Sequence, residues 1–257
     1  MFETCDKDRP LVIQLNGNDE KEFIECAKDV EKYADAIDIN LGCTQRIAKR
    51  GRYGFFMVNN EEKRQNTIEM VKNIVKSINV PLTAKIRLFN DDDGNVDVKT
   101  TVDFAKSLEA AGVAMIEIHG RIKKLNKAGD VNMDVIKEIV NSVSVPVIGN
   151  GGIASKEEAD NMIKETGVAG VMIGQALLNN PRLIDEPNAD PVELAREYLK
   201  LNNQYPIYDF TIAKRHIYNF FEQKLSKTSK IADELKKVHT QDDAMEFLDK
   251  YCRNEII

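Results

Sequence analysis

A thiol lies directly behind a segment in which polar and apolar residues alternate. Ile37, Ile39 and Leu41 alternate with Asp38, Asn40 and Gly42, and Cys43 follows them. This period of two is typical of a β-strand with one polar and one apolar face. In barrels of parallel strands, reactive side chains lie where the strands end and in the loops beyond. The sequence therefore predicts that Cys43 lies at the mouth of a barrel.

Three other strand-like segments carry polar pairs with the same spacing. They are Gln14 and Asn16 in Leu11–Gly17, Lys85 and Arg87 in Leu82–Leu88, and Glu117 and His119 in Met115–Gly120. Two cations on one strand face are costly to bury without partners, so they indicate either an exposed edge strand or a polar barrel mouth. His119 ends its strand in register with these cations, which favours a functional histidine over a structural one. Four polar strand faces predict one shared site.

The elements that would position these residues alternate, through residue 180, between strand-like and helix-like segments. This order predicts an α/β fold with parallel strands. Beyond Pro191 the patterns are helical, over Val192–Asn202, Ile212–Lys224, Lys230–Lys237 and Gln241–Tyr251. Pro187 and Pro191 mark the boundary. We therefore predict a barrel-like domain over residues 1–187 and a helical domain over residues 188–257.

Two glycine-containing turns follow the last two strands of the barrel-like region. Asn150, Gly151 and Gly152 follow one strand, and Gly174 and Gln175 follow the next. Glycine lets backbone N–H groups approach an anion, and each turn leads into a helix N-terminus. Either turn alone is weak evidence, because glycine follows many strands. Together they predict the phosphate site of a (β/α)8 barrel.

Composition argues against several functional classes. The 257-residue chain is 42% hydrophobic, which allows a sizeable core, and it has no run of the roughly 18 apolar residues that a membrane span needs. The N-terminus lacks the apolar core of a signal peptide. The cysteines Cys5, Cys26, Cys43 and Cys252 form no CxxC pair, and the acidic turn Asn90–Asn95 lacks EF-hand spacing. We expect no metal, no disulfide and a reducing, cytoplasmic location.

Charge is distributed unevenly along the chain. The net charge is −6, yet Thr211–Lys237 holds seven basic residues and three acidic ones. Basic residues also follow Cys43 and His119, namely Lys49, Arg50 and Arg52 in the first loop and Lys123, Lys124 and Lys127 in the second. A basic rim beside a thiol would suit a polyanionic substrate. The alternative interpretation is a set of solvated surface charges.

Over about residues 10–250, the motifs of this chain and their order along it resemble those of the tRNA-dihydrouridine synthase family. Leu11–Asn16 is similar to the family's strand that begins with a flavin-contacting glutamine. Asp38–Cys43 resembles its Asp-Ile-Asn-x-Gly-Cys-Pro signature. The later matches are Gly51–Gly54, Ala84–Arg87, Ile118–Arg121, Gly149–Ile153, Met172–Ala176, Lys214–His216 and Glu234–Leu248. Their collinearity makes the resemblance more specific than any single motif.

The resemblance implies an FMN-dependent TIM-barrel enzyme that reduces uridine to 5,6-dihydrouridine in tRNA, with NADPH as electron donor. Cys43 aligns with the cysteine that protonates C5 of the uracil while hydride moves from flavin N5 to C6. A thiol pKa of about 8.5 suits proton donation near neutrality. Asn40 and Arg87 align with residues that face the target base, which is expected to be flipped out of its stack.

The resemblance also implies which residues hold the cofactor and the RNA. The aligned cofactor-binding residues are Gln14, Lys85, His119, Asn150, Gly151, Gly152, Gly174 and Gln175. Lys85 aligns with a lysine at the flavin pyrimidine edge, where a fixed cation would stabilise the reduced, anionic ring. Residues 1–187 would then be an FMN-binding catalytic domain, and residues 188–257 a tRNA-binding domain.

The sequence departs from the family pattern in three places. Thr44 stands where the family has proline, and Gln175 replaces an arginine of the phosphate cradle, which removes a charge-assisted contact. Only Met1–Pro10 precedes the glutamine strand, where the family has two strand–helix units, so six strands are expected instead of eight. The chain would be a fragment, or a partner or its own N-terminal residues would fill the gap. A monomer is expected unless a partner completes the barrel.

Two other functions stay open on the sequence alone. A different FMN-dependent barrel oxidoreductase, resembling dihydroorotate dehydrogenase, would share an Asn-x-x-Cys-Pro-like loop, a strand lysine and an Asn-Gly-Gly turn. A catalytically silent tRNA-binding scaffold would keep the fold without flavin. The element His119–Arg121 and the basic helical tail favour the tRNA enzyme over the other oxidoreductase.

Overall fold

The computed structural model describes residues 4–122, 130–225 and 229–255. The chain divides into two compact units, which we call the first unit (Met1–Gly152 with Ala159–Met172) and the second unit (Ile153–Glu158 with Ile173–Ile257). These bounds differ from the predicted 1–187 and 188–257. The assignment of a cofactor to one domain and of RNA to the other stays a prediction.

A single parallel sheet of six strands organises the first unit. The strands are β1 Val12–Leu15, β2 Ala36–Asn40, β3 Leu82–Arg87, β4 Met115–His119, β5 Val147–Asn150 and β6 Gly170–Met172. Each strand pairs with the next one along the chain, as in a (β/α)8 barrel. The predicted α/β fold with six strands of barrel type is therefore confirmed. Among the described residues, β1 pairs only with β2 and β6 only with β5, which makes the sheet a half-barrel.

Helices connect the strands. They are α1 Glu20–Val30, α2 Arg46–Gly51, α3 Glu61–Ser77, α4 Val98–Ala110, α5 Met133–Ser142 and α6 Lys156–Thr166. Five of them follow a residue whose side chain accepts a hydrogen bond from a first-turn N–H, namely Asp19, Asn60, Asp97, Asn132 and Ser155. Such caps satisfy a backbone donor that has no partner inside the helix. The region predicted as a loop after Cys43 contains α2 and a 3₁₀-helix, Gly54–Met57, which sequence analysis missed.

One face of the sheet is apolar and deeply buried. Ile37, Ile39, Ile86, Ile116 and Ile118 are at most 1% exposed. Full burial of such a side chain contributes about 1.5–3 kcal/mol to folding. Because successive residues of a strand point to opposite faces, the polar residues between these isoleucines lie on the other face of the sheet.

The second unit is helical. Its helices are α7 Gln175–Asn179, α8 Pro191–Gln204, α9 Phe210–Phe220, α10 Glu222–Leu225, α11 Ser229–Lys237 and α12 Gln241–Cys252. Leu199, Ile217 and Phe247, from α8, α9 and α12, belong to one buried apolar cluster. The described residues beyond Pro191 are helices and loops, as predicted, although the predicted helix Ile212–Lys224 is divided into α9 and α10. In the part of the chain that the structure describes, no helix is long and apolar enough to span a membrane.

Candidate active site

The polar side chains of the sheet are aligned by strand register. Asn40 of β2 is paired with Lys85 of β3, Arg87 with His119 of β4, and His119 with Asn150 of β5. Neighbouring residues in a parallel sheet point to the same side when they are in register. Side chains from four consecutive strands therefore meet near the carboxyl ends of those strands, where the active sites of barrel enzymes lie.

The side chains from β2, β3 and β4 border one cavity of about 290 Å³ in the first unit. Its lining residues are Asn40, Gly42, Cys43, Thr44, Gln45, Lys85, Ile86, Arg87 and His119. The structure therefore brings together the thiol, both cations, the asparagine and the histidine that sequence analysis placed at the barrel mouth. Their chemical roles stay predictions.

The backbone around Cys43 is held from both sides. Oδ1 of Asn40 accepts hydrogen bonds from the backbone N–H groups of Gly42, at 3.1 Å, and Cys43, at 3.0 Å. The carbonyl of Cys43 accepts a hydrogen bond from the N–H of Phe55 at 3.0 Å. Gly54 has a φ of +64°, and a Cβ there would lie only 2.9 Å from the Cβ of Cys43. Only glycine fits this position without displacing the Cys43 loop.

Arg87 joins two loops and a histidine. Its Nε donates to the carbonyl of Gly42 at 3.0 Å, its Nη1 donates to the carbonyl of Ile122 at 2.9 Å, and its Nη2 lies 3.1 Å from Nδ1 of His119. Burial, followed by the nearby positive charges of Arg87, Lys85 and Arg121, lowers the pKa of His119 to about 4. His119 is therefore neutral near pH 7, and its Nδ1 can accept the hydrogen bond from Arg87.

Lys85 is anchored across the polar face. Its Nζ donates to Oδ1 of Asn150 at 3.0 Å, and Nδ2 of Asn150 donates to the carbonyl of Met172 at 2.7 Å. Burial lowers the pKa of Lys85, whereas the carboxyl groups of Asp38 and Glu117 act in the opposite direction. The ammonium group therefore occupies a fixed position at the cavity.

Two buried carboxyl groups lie deeper on the same face, and sequence analysis assigned no role to either. Asp38 is 3% exposed and Glu117 is 2% exposed. Oδ1 of Asp38 accepts from the hydroxyl of Thr83 at 2.8 Å, and its Oδ2 accepts from Nε2 of Gln14 at 2.6 Å. Burial and then the charge of Asp38 raise the pKa of Glu117 to about 8, so Glu117 keeps its proton at neutral pH. The signal for this pair was the period of two, which puts both residues on the polar face.

The turn after β5 contains two consecutive glycines of positive φ. Gly151 has a φ of +122° and Gly152 a φ of +72°. A Cβ at Gly151 would lie 3.0 Å from Cδ2 of His119, and a Cβ at Gly152 would lie 3.1 Å from Nη2 of Arg121. Among the described residues, the buried Nε of Arg121 has no hydrogen-bond partner. An unpaired cationic donor beside a glycine turn is chemically suited to an anion.

The other predicted phosphate-binding residues belong to the second unit. Gly174 is the N-cap of the five-residue helix α7, with a φ of −111°. Nε2 of Gln175 donates to Oδ1 of Asn179 at 3.2 Å. Their predicted role in cofactor binding is not tested by these contacts.

The predicted RNA-binding cations Lys214 and Arg215 lie on α9 of the second unit. Arg215 is exposed, whereas Nζ of Lys214 donates to the carbonyl of Lys236 at 2.8 Å. The basic loop with Lys123, Lys124 and Lys127 lies outside the described residues.

Comparison with known proteins identifies the family. Residues 1–252 match the family described as "Dihydrouridine synthase (Dus)". A Rattus norvegicus protein named tRNA-dihydrouridine(16/17) synthase NAD(P)(+)-like is 36% identical over 240 residues, which cover 93% of this chain and 52% of the relative. A Schizosaccharomyces pombe protein named tRNA-dihydrouridine(16/17) synthase NAD(P)(+) is 30% identical over 248 residues, covering 90% of this chain and 60% of the relative.

A solved structure described as TcOYE with pHBA supports the fold alone. Its TM-score is 0.50 at 19% identity, over 65% of this chain and 47% of that chain. The chain spans about half the length of the curated rodent relatives it matches. Because the family match extends over nearly all of the sequence, the chain belongs to the dihydrouridine synthase family.

Proposed function

We propose that this chain carries the active site of a tRNA-dihydrouridine synthase, which uses FMN and NADPH to reduce uridine to 5,6-dihydrouridine in tRNA. Family membership and the names of the relatives support this function. The observation that carries it is the convergence of Cys43, Lys85 and Arg87 on one cavity. A proton donor, a fixed cation and a base-orienting cation are the groups that such a reduction needs.

Cys43 donates the proton to C5 of the uracil. Its backbone is held by Asn40 and Phe55, so the loop is fixed while the thiol lines the cavity. Arg87 lines the same cavity as Cys43 and is itself held by the carbonyl of Gly42. A positive charge in this position stabilises the thiolate that remains after proton donation.

The residues of the first unit fit a flavin. A bound FMN supplies the hydride for C6 of the base. Lys85 offers a fixed ammonium group, and the neutral ring of His119 offers its Nε2–H. The glycine turn Asn150–Gly152 and the unpaired Nε of Arg121 suit an anionic group. Gln14 is a further proposed cofactor contact of this unit.

The RNA contacts are proposed for the helical second unit. Lys214 and Arg215 on α9 would meet phosphates, since cations that neutralise phosphates supply most of the affinity for nucleic acid. The target uridine must leave its stack to reach the cavity, which Asn40 and Arg87 border.

Two measurements test this function together. The purified protein should be yellow and absorb in the flavin bands, and dihydrouridine mapping of tRNA should show a site that is lost when the gene is deleted. Identical dihydrouridine maps with and without the gene would contradict tRNA reduction. Reduction of free orotate by the flavin-loaded protein would instead favour the dihydroorotate dehydrogenase-like alternative.

A further inference from the structure

We propose that Asp38 is a positioning residue for Cys43, which it holds through the side chains of Gln14 and Asn40. The proposal deepens the proposed function, on which it rests in taking Cys43 as the reacting group. Asp38 does not line the cavity that Cys43 borders, so it acts at a distance. We call the three side chains of Asp38, Gln14 and Asn40 the relay.

The relay is a continuous series of hydrogen bonds across β1 and β2. Oδ2 of Asp38 accepts from Nε2 of Gln14 at 2.6 Å. Oε1 of Gln14 accepts from Nδ2 of Asn40 at 2.9 Å. Oδ1 of Asn40 then accepts from the N–H groups of Gly42 and Cys43, at 3.1 and 3.0 Å. Every polar atom of both amide side chains therefore has a partner within the relay or the Cys43 loop.

The order of donors and acceptors follows from the charge at one end. An ionised carboxylate can only accept hydrogen bonds, so Gln14 must turn its NH₂ group towards Asp38. The carbonyl of Gln14 then faces Asn40, which in turn must present its own NH₂ group to Gln14. The remaining oxygen of Asn40 is thereby directed at the loop. A reversed amide at either position would bring two donors or two acceptors together in place of a hydrogen bond.

Hydrogen-bond donors around Asp38 favour its accepting form. The hydroxyl of Thr83 donates to its second oxygen at 2.8 Å. Glu117, hydrogen bonded to Asp38, is the member of the pair that keeps a proton, because burial and the charge of Asp38 raise the pKa of Glu117 to about 8. Burial raises the pKa of Asp38, whereas the hydrogen bonds that it accepts and the ammonium group of Lys85 act in the opposite direction. One proton on two carboxyl groups leaves Asp38 as the acceptor that orients the relay.

Amide hydrogen exchange at Gly42 and Cys43, followed by NMR on the 257-residue chain, tests the relay without flavin or RNA. Asp38→Ala should lower the protection of these two amides about tenfold relative to the core strands, as expected when a hydrogen bond of ordinary strength is lost. Asp38→Asn keeps one oxygen for Gln14, so it should retain protection within about threefold of wild type. Because the readout needs no turnover, a failure of the proposed function would leave this result unaffected.

The matched control is Thr101→Val, which also removes a buried hydrogen-bonding group, since Thr101 is 0% exposed. Its hydroxyl bonds the backbone of Phe89 and Asp97 and no member of the relay. This variant should leave the amides of Gly42 and Cys43 protected. If Asp38→Ala proves unable to fold, Gln14→Met breaks the relay at an exposed strand position and should produce the same tenfold loss. Protection in either relay variant equal to that in Thr101→Val would overturn the proposal, and so would an equal loss in Asp38→Asn and Asp38→Ala.

Discussion

Nη2 of Arg87 lies 3.1 Å from Nδ1 of His119. A guanidinium group carries only donors, so Nδ1 must accept, and neutral His119 carries its proton on Nε2. Strand register pairs the two residues directly, which makes the contact a consequence of how β3 and β4 align. Arg87 thus selects the tautomer of His119, and His119 helps to hold the guanidinium at the cavity.

This relationship predicts how His119 titrates. Its pKa of about 4 in the folded protein lies below the ordinary value of 6.5. As the pH falls, His119 of the unfolded chain therefore becomes protonated before His119 of the folded protein does. The stability contributed by neutral His119 is complete above pH 6.5 and is lost as the pH falls towards 4. Because the charge of Arg87 is a cause of the shift, Arg87→Gln should raise the pKa of His119 towards 6.5, as measured by NMR of ¹⁵N-labelled histidine.

Arg64→Gln is the control for this titration. Arg64 lies over the ring of Phe89 and is not among the groups that shift the pKa of His119, so its replacement should leave that pKa unchanged. An unaltered titration of His119 in Arg87→Gln would mean that the charge of Arg87 does not contribute to this shift.

The tight fit of Gly54 against Cys43 predicts a large effect of a single methyl group. Gly54→Ala combines a positive φ with a Cβ placed 2.9 Å from both Cβ and the carbonyl oxygen of Cys43. Gly94→Ala is a matched control, because Gly94 has a φ of +82° and nothing within 4 Å of the added Cβ. The control should lower the free energy of unfolding by about 1–2 kcal/mol, the usual cost of a left-handed conformation.

Gly54→Ala should lower the free energy of unfolding by more than Gly94→Ala does, since overpacking adds about 1–3 kcal/mol. Urea unfolding measures the loss of free energy in both variants. The rate at which Cys43 is alkylated should differ from wild type in Gly54→Ala and stay at the wild-type value in Gly94→Ala. Equal losses in the two variants would show that the loop adjusts to the added methyl group without strain.

The proposed proton donor is tested by Cys43→Ala. Loss of a positioned acid typically costs about 10²–10⁴-fold in rate, so dihydrouridine formation should fall by that factor. Flavin and tRNA should stay bound, because the contacts that hold the Cys43 loop come from its backbone. Cys26→Ala, which removes an exposed thiol on α1, should react at the wild-type rate. Wild-type turnover by Cys43→Ala would exclude this thiol from the reaction.

The polar face was predictable from the sequence because it depends only on local geometry. A period of two decides which residues of β2, β3 and β4 share a side, and parallel pairing then brings Asn40, Lys85 and His119 together. The partners of Arg87 were not predictable. Its bonds to Gly42 and Ile122 join loops that lie 45 and 35 residues away in the chain, and no local pattern encodes such contacts.

The loop after Cys43 shows a second limit. The sequence predicts a loop in this segment, yet Arg46–Gly51 forms a helix that ends at Arg52 in a left-handed conformation, with a φ of 55°. Short helices are set by tertiary contacts more than by propensity, so a six-residue segment offers little sequence signal. Similarly, the pKa of Glu117 depends on its burial beside Asp38. The period of two indicates that both residues share a face of the sheet, but it does not give the distance between them.

The proposed RNA contact on α9 predicts a specific dependence on salt. Replacing Lys214 and Arg215 with glutamine should weaken tRNA binding more at low than at high salt, because each lost phosphate contact lowers the slope of log K against log salt by about 0.7–0.9. Lys214 also bonds the carbonyl of Lys236 on α11, whereas Arg215 is exposed. The single variant Arg215→Gln therefore separates phosphate binding from damage to the helices. Lys137→Gln, at an exposed lysine of α5, serves as the control. If the affinity of Arg215→Gln for tRNA equals that of the wild type at every salt concentration, the RNA binds elsewhere.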